Sequence, residues 1–323
     1  MNHDRAIGGA LLAAWLAVVG CGLLPAPQSS LPRYLDRRQA IPREMVKLGP
    51  ETDRYPPILH SGEWEQPVPL PAAVNTAGYE DAPFITPDGS ALYFFFTPDA
   101  GIPPERQLLD GVTGIYRAEA RRGEWLGDAR VWLQAPDKLA LDGCPFILGD
   151  RLWFCSTREG YTGIQWFTAG LAGADWQHAG GQFPPEYEVG ELHISRDGQE
   201  LYFHSSRAGG LGGFDIWLSV RQPGGAWGEP VNLAAVNSPG TDGWPCLSAD
   251  GSELWLTRME GGTPSIHRSR RSVDGWTAPE LILSQFAGEA SLDDAGNLYF
   301  VHHYYDGRQM READIYFARR KAP

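Results

Sequence analysis

An all-β chain assembled from five copies of one four-stranded unit is what this sequence predicts, on three periodic markers. A leucine-aromatic strand core recurs as Leu92-Tyr93-Phe94, Leu152-Trp153-Phe154, Leu201-Tyr202-Phe203, Leu254-Trp255-Leu256 and Leu298-Tyr299-Phe300. Isoleucines recur at Ile115, Ile164, Ile216, Ile266 and Ile315, and tryptophans at Trp64, Trp125, Trp176, Trp227 and Trp276. Each marker counts five at a period of about fifty residues, the size of a supersecondary unit that buries its faces only against neighbouring copies.

The clearest copy runs from Gly190 to Leu233. Its first strand ends in Arg196-Asp197-Gly198-Gln199, an Asp-Gly turn in which glycine takes positive φ at no steric cost. A second strand, Leu201 to Ser205, leads through a glycine-rich loop to a third, Asp215 to Val220, and Trp227 opens a fourth. The same turn recurs at Asp88-Gly89 and Asp250-Gly251, is shortened at Gly149-Asp150, and becomes Ala295-Gly296 in the last copy.

The markers do not start in phase. The Trp64 strand precedes the first complete copy, and the chain's last copy stops after its third strand at Ala318-Arg319-Arg320. A ring in which the N-terminal strand completes the last copy removes the sheet edges that an open β-solenoid would leave. The expectation is a five-bladed β-propeller of four-stranded antiparallel blades, closed three-plus-one.

The pattern S-x-DG-x-x-L-Y-F-x-S-x-R-x-GG-x-GG-x-D-I-W, then W-G-E-P-V-N-L and V-N-S, over residues 195 to 238, resembles the TolB-type, WD-repeat-like propeller repeat of bacterial envelope proteins. The resemblance extends over about residues 62 to 320. It implies the fold and leaves function open, because propellers host binding proteins and enzymes alike.

The division expected is a signal peptide at 1–20, a Pro-rich tether at 21–60 and the propeller at 61–323. The apolar run Ala6 to Gly20 has the length and place of a signal-peptide core rather than a membrane span. Val18-Val19-Gly20-Cys21 resembles a bacterial lipoprotein cleavage box, with Cys21 carrying the lipid. Gly22 beside it implies the outer membrane. Pro25, Pro27, Pro32, Pro42, Pro50, Pro56 and Pro57 then punctuate a stretch without hydrophobic period.

Residues 1–50 hold six Lys/Arg against three Asp/Glu, so a net charge of −13 leaves about −16 for the rest. That acidic body argues against nucleic-acid binding, which needs a cationic face. The run Gly209-Gly210-Leu211-Gly212-Gly213 lies between strands, where it reads as a turn and not a phosphate cradle. G-x-S-x-G is absent, and no cysteine spacing suits a metal. Cys144 and Cys155 flank the shortened turn and are a candidate disulfide; Cys246 reads as a buried hydrophobe.

On one face the loops before the innermost strands bring together Glu80, Asp81, Asp142, Glu188, Glu191, Asp242 and Glu289, and those between second and third strands bring arginines and aromatics. Glu191, Asp242 and Glu289 are the candidate catalytic set of an alternative reading, a glycoside hydrolase with carboxylates at the central channel. Asp142, Glu191, His193, Asp242 and Glu289 are the candidate ligands of a cation, for which Ca2+ would suit the oxygens. The bland reading pairs the arginines Arg158, Arg207 and Arg258 with acids of neighbouring loops, Asp142 and Asp242 among them, pinning blade to blade.

The leading expectation is a monomeric, lipid-anchored envelope propeller without a cofactor that binds a protein or a cell-wall or surface glycan. Tyr161, Arg207, Tyr304, Tyr305 and Arg308 are its candidate binding residues, tyrosine and arginine being common interface anchors. The stretches Thr97 to Thr113 and His302 to Asp314 are expected as its specificity loops.

Overall fold

The computed structural model describes residues 36–134, 138–171, 176–179, 183, 185–307 and 309–322. The stretch expected as a signal peptide, Cys21 and Arg308 lie outside the described residues. The chain is all-β. Two short N-terminal strands, β1 (Ile58–Leu59) and β2 (Val68–Pro69), precede the first full unit: β3 (Tyr79–Ile85), β4 (Ala91–Thr97), β5 (Gly114–Arg121) and β6 (Glu124–Arg130). The second unit is β7 (Ala140–Leu148), β8 (Arg151–Arg158), β9 (Gln165–Gly170) and β10 (Gln177–His178). The third is β11 (Leu192–Ile194), β12 (Glu200–Ser205), β13 (Asp215–Val220) and β14 (Val231–Asn232). The fourth is β15 (Asp242–Leu247), β16 (Glu253–Glu260), β17 (Thr263–Ser272), β18 (Gly275–Trp276) and β19 (Glu280–Ser284). The last run is β20 (Ala287–Leu292), β21 (Leu298–Asp306) and β22 (Gln309–Ala318).

Within units the strands pair antiparallel, nearly all with their sequence neighbours; in the fourth, β18 and β19 both pair β17, and a parallel contact of β22 with β3 joins the last and first units in one sheet. The turns explain themselves. Gly89, Gly198 and Gly251 sit at φ 69°, 71° and 68°, and the preceding aspartates accept from the turn's own backbone and hydroxyls. Those hydrogen bonds hold the Asp250 carboxyl at about 2.

The N-terminal strand lands where the offset markers place it. β2 pairs antiparallel with β22, Val68 opposite Phe317, and Trp64 bridges Arg320. Trp227 bridges Arg221 and Trp276 pairs Arg271 in the same way, and in all three the guanidinium lies 4.2–4.6 Å from the indole centroid. Apolar clusters fill the gap between each unit and the next. Phe154 and Phe167 meet Tyr93 and Ile115; Trp217 meets Trp153; Leu254 meets Tyr202; Phe300 meets Trp255. Tyr299 and Ile315 of the last unit meet Phe94 and Tyr116 of the first. Burying each such ring contributes on the order of 1.5–3 kcal/mol.

Two expectations fail on packing. In the second unit Ile164 precedes the strand and is 37 % exposed, and Trp166, opposite Cys155, occupies the place that Ile216 holds opposite His204. The described part of the expected tether is not a free spacer. Arg37 is buried, ion-paired with Glu80 and Asp128, and lies 4.4 Å from the Phe96 ring centroid. Lys47 is salt-bridged to Glu312 and Asp314, Asp53 bonds buried His302 at 2.7 Å, and β1 pairs β19.

That covering strap makes the stretch from His302 to Asp314 a long hairpin instead of a loop. Tyr304 and Tyr305 are 1 % and 6 % exposed. The Tyr304 hydroxyl lies 2.8 Å from that of Tyr316, and the Tyr305 ring stacks on Phe286 at 4.3 Å. Both are core residues.

Candidate functional site: a cavity where the innermost strands meet

β3, β7, β15 and β20 each carry a bulge, where the register with the next strand slips between Asp81 and Phe84, Gly143 and Phe146, Gly243 and Cys246, and Gly288 and Ser291. At each bulge one residue that is not glycine is left-handed: Ala82 (φ 47°), Cys144 (49°), Trp244 (53°) and Glu289 (56°). Such conformations cost on the order of 1–3 kcal/mol each and persist where the surroundings impose them. All four residues line the same cavity of about 290 Å³. The third unit contributes Glu191, just before β11, together with Glu188, His204 and Phe214.

The cavity mixes acids with aromatic walls. Asp81, Glu188, Glu191 and Glu289 stand among its lining, with Phe95, Trp166, Phe214 and Trp244, and no lysine or arginine is in it. Glu289 Oε2 accepts from the Ala82 amide at 3.0 Å, and the Glu289 amide donates to Thr257 Oγ1 at 2.7 Å. Burial raises the Glu191 carboxyl to about 8, assisted by the Asp81 charge and opposed by donors on Cys144 and Trp244. Glu289 is also pushed well above the usual range, by burial and then by the charges of Asp81 and Glu191. The cavity therefore holds a carboxylic acid, Glu191, that keeps its proton at neutral pH, beside a second whose affinity for a proton is also raised.

His204 forms part of the wall. The amides of Glu191 and Trp244 approach its Nε2 and Nδ1 at 3.3 and 3.2 Å. A neutral imidazole has one lone pair, so it serves one amide at a time. Burial holds both His204 and His193 neutral, at about 3. A neutral ring cannot pair ionically with the acids around it.

The sequence-derived site divides in two. Glu191 and Glu289 do meet, and His193 lies beside them, its ring 4.8 Å from Phe146. Asp242 does not join them: it is fully buried, with Oδ1 bound to Arg258 Nε at 2.6 Å and Oδ2 accepting from Ser238 at 2.6 and 2.7 Å. Asp142 is likewise held, by Ser156 and Arg158 at 2.6 Å each. Both form the expected ion pairs, but each pair joins adjacent strands of one unit, β7 with β8 and β15 with β16, so it pins a hairpin and not one blade to the next. Among the described residues no group of three His, Cys, Asp or Glu side chains is placed to hold a metal ion.

The binding candidates are scattered. Arg207 pairs with Glu229 at 2.9 Å and packs over Tyr187 and Trp217, while Tyr161 is 36 % exposed against Phe167 and His178. Sequence reasoning gathered Asp81 with the acids of this face but not in the catalytic or cation set, read His204 as a packing residue, and left out Trp166, Phe214 and Trp244. The repeated D-A-P-F, D-G-C-P-F and D-G-W-P-C around Ala82, Cys144 and Trp244 is the signal that marks the bulged residue before proline.

No protein-family profile matches the chain, and no curated protein matches it. Solved structures do. TolB from Acinetobacter baumannii is 14 % identical, with a TM-score of 0.43, over 76 % of this chain and 55 % of its own. This chain thus spans about half the length of that protein. A thermostable family-43 glycoside hydrolase is 12 % identical, TM-score 0.48, over 79 % and 96 % of the two chains. XC5397 from Xanthomonas campestris, described as a gluconolactonase, is 14 % identical, TM-score 0.45, over 82 % and 95 %. Likenesses this distant assign no activity.

Proposed function

We propose that the chain is a five-bladed propeller, closed by its N-terminal segment, that acts as a binding module of the cell envelope and takes a sugar residue of a glycan into its central cavity. The observation that carries this reading is the cavity: all five units contribute lining residues, four carboxyl side chains and the rings of Phe95, Trp166, Phe214 and Trp244 among them, and none is a lysine or arginine. Sugar hydroxyls suit protonated and ionised carboxyls, sugar faces suit indoles, and an anionic ligand would meet only like charge. Tethering through a lipid on Cys21 rests on the sequence Val18-Val19-Gly20-Cys21.

One observation favours a second reading, a glycoside hydrolase. Glu191, held at about 8, suits a general acid, and Asp81 lines the same cavity in the place that the expected set gave to Asp242. An array of cell-wall and surface oligosaccharides, followed by calorimetry on the hits, tests both. The binding reading expects E191Q to weaken association and no reducing ends to appear on long incubation. Turnover lost in E191Q would establish the enzyme, and a folded protein that binds no oligosaccharide would refute the cavity's assignment.

A further inference from the structure

Cys144 and Cys155 give the cavity a chemistry that neither reading uses. Their Sγ atoms lie 2.7 Å apart, both residues are buried (7 % and 3 % exposed), and both line the cavity. They are free thiols in this structure. The register pairs Cys155 with Gly143, not with Cys144, so the contact depends on the bulge: its extra, left-handed residue brings the Cys144 side chain across to β8. A disulfide requires the sulfurs to close to about 2.05 Å, a movement of less than an ångström from where they stand.

We propose that Cys144 and Cys155 form a reversible cross-strand disulfide in the wall of the cavity, so that the site exists in a dithiol and a bridged state. The co-reactant is a low-molecular-weight disulfide small enough to enter the cavity. One cysteine, as thiolate, attacks a sulfur of that disulfide, forming a mixed disulfide and expelling one small thiol. The second cysteine, also as thiolate, attacks the protein sulfur of the mixed disulfide and expels the other small thiol. The two protons released by the cysteines end on the two small thiols, so two protein thiols are oxidised and one small disulfide is reduced. Burial beside Cys155, Glu191 and Glu289 raises the Cys144 thiol, so the reaction is slow at neutral pH and accelerates in alkaline buffer. The bridge also consumes the S–H that Cys144 offers to the Glu191 carboxyl, which ties the redox state of the wall to the acid beside it.

The test needs no variant. The native full chain is incubated at pH 8.5 with 2-hydroxyethyl disulfide, quenched with an alkylating agent, digested without reduction and mapped by mass spectrometry. The expected result is one cross-linked peptide joining Cys144 to Cys155, the loss of two alkylatable thiols there, Cys246 still alkylated after denaturation, and full reversal by dithiothreitol. C155S should stop at a mixed disulfide on Cys144 and never bridge. Peptides that carry Cys144 and Cys155 still as separate alkylated thiols, or a bridge formed only after unfolding, would overturn the proposal. Oligosaccharide binding plays no part in this readout, so its failure and that of the glycan reading are separable.

Discussion

Replacing Glu191 by Gln keeps the shape of the cavity wall and removes a carboxyl that the fold holds neutral. The wild-type group titrates near 4.5 when unfolded and at about 8 when folded. Between those values the folded chain keeps a proton that the unfolded chain has released, so stability falls as pH rises through that window. The slope is about 1.4 kcal/mol per pH unit per group, and the full span corresponds to at most about 5 kcal/mol, part of it shared with Glu289. E191Q has no such proton to lose. Urea unfolding of both proteins from pH 4.5 to 9 at constant ionic strength should give near-equal stabilities at the acid end. The variant should become progressively more stable, by about 2–5 kcal/mol at pH 8, with the difference level above that. A difference that does not change with pH, or a variant less stable at pH 8, would mean that Glu191 is ionised and paired in the folded protein, and the cavity's electrostatics would be wrong.

Three further substitutions test the packing that shapes the site. W64A removes a fully buried indole that lies 5.4 Å from Trp255 and donates to the Gly296 carbonyl at 3.0 Å, and should cost about 3–5 kcal/mol in chemical unfolding. R37M strands Glu80, which is fully buried, with only the Thr76 amide and hydroxyl as partners; a loss of about 3–5 kcal/mol is expected, and a change below about 1 kcal/mol would return this segment to the status of a loose linker. Y304A should lower the melting temperature along with any binding, because its ring is core; binding lost at unchanged stability would restore it as a recognition residue.

The architecture was legible because its signals are local and repeated. Asp-Gly turns, the leucine-aromatic strand cores and the tryptophans each mark one place in a unit, and the displaced Trp64 pointed to the β2–β22 pairing. The ion pairs of Asp142 with Arg158 and Asp242 with Arg258 were legible for the same reason. What the sequence hid was long-range cover. His302, Tyr304 and Tyr305 have the composition of an exposed loop, yet Asp53 and Lys47, some 250 residues earlier in the chain, bond His302 and Asp314, and β21 is buried from Leu298 to Tyr305. Nothing periodic announces that strap. The cavity was half legible: Asp81, Glu191 and Glu289 stood out as acids, whereas Trp244 reaches it only through a bulge whose register no alternation of side chains reveals.

The central claim is that the two ends of the chain interlock, because the cavity takes lining residues from β3 near one end and β20 near the other. Native-state hydrogen exchange reads this directly. The amides of Glu65 and Leu70 donate to the carbonyls of Arg319 and Ile315 at 2.9 Å. They should exchange only with the same sub-global opening that releases β22, and W64A should speed exchange in both segments together. If residues 62–70 exchange at the rate of a free loop while β22 stays protected, the ends do not interlock and the ring, with its cavity, is not closed as described.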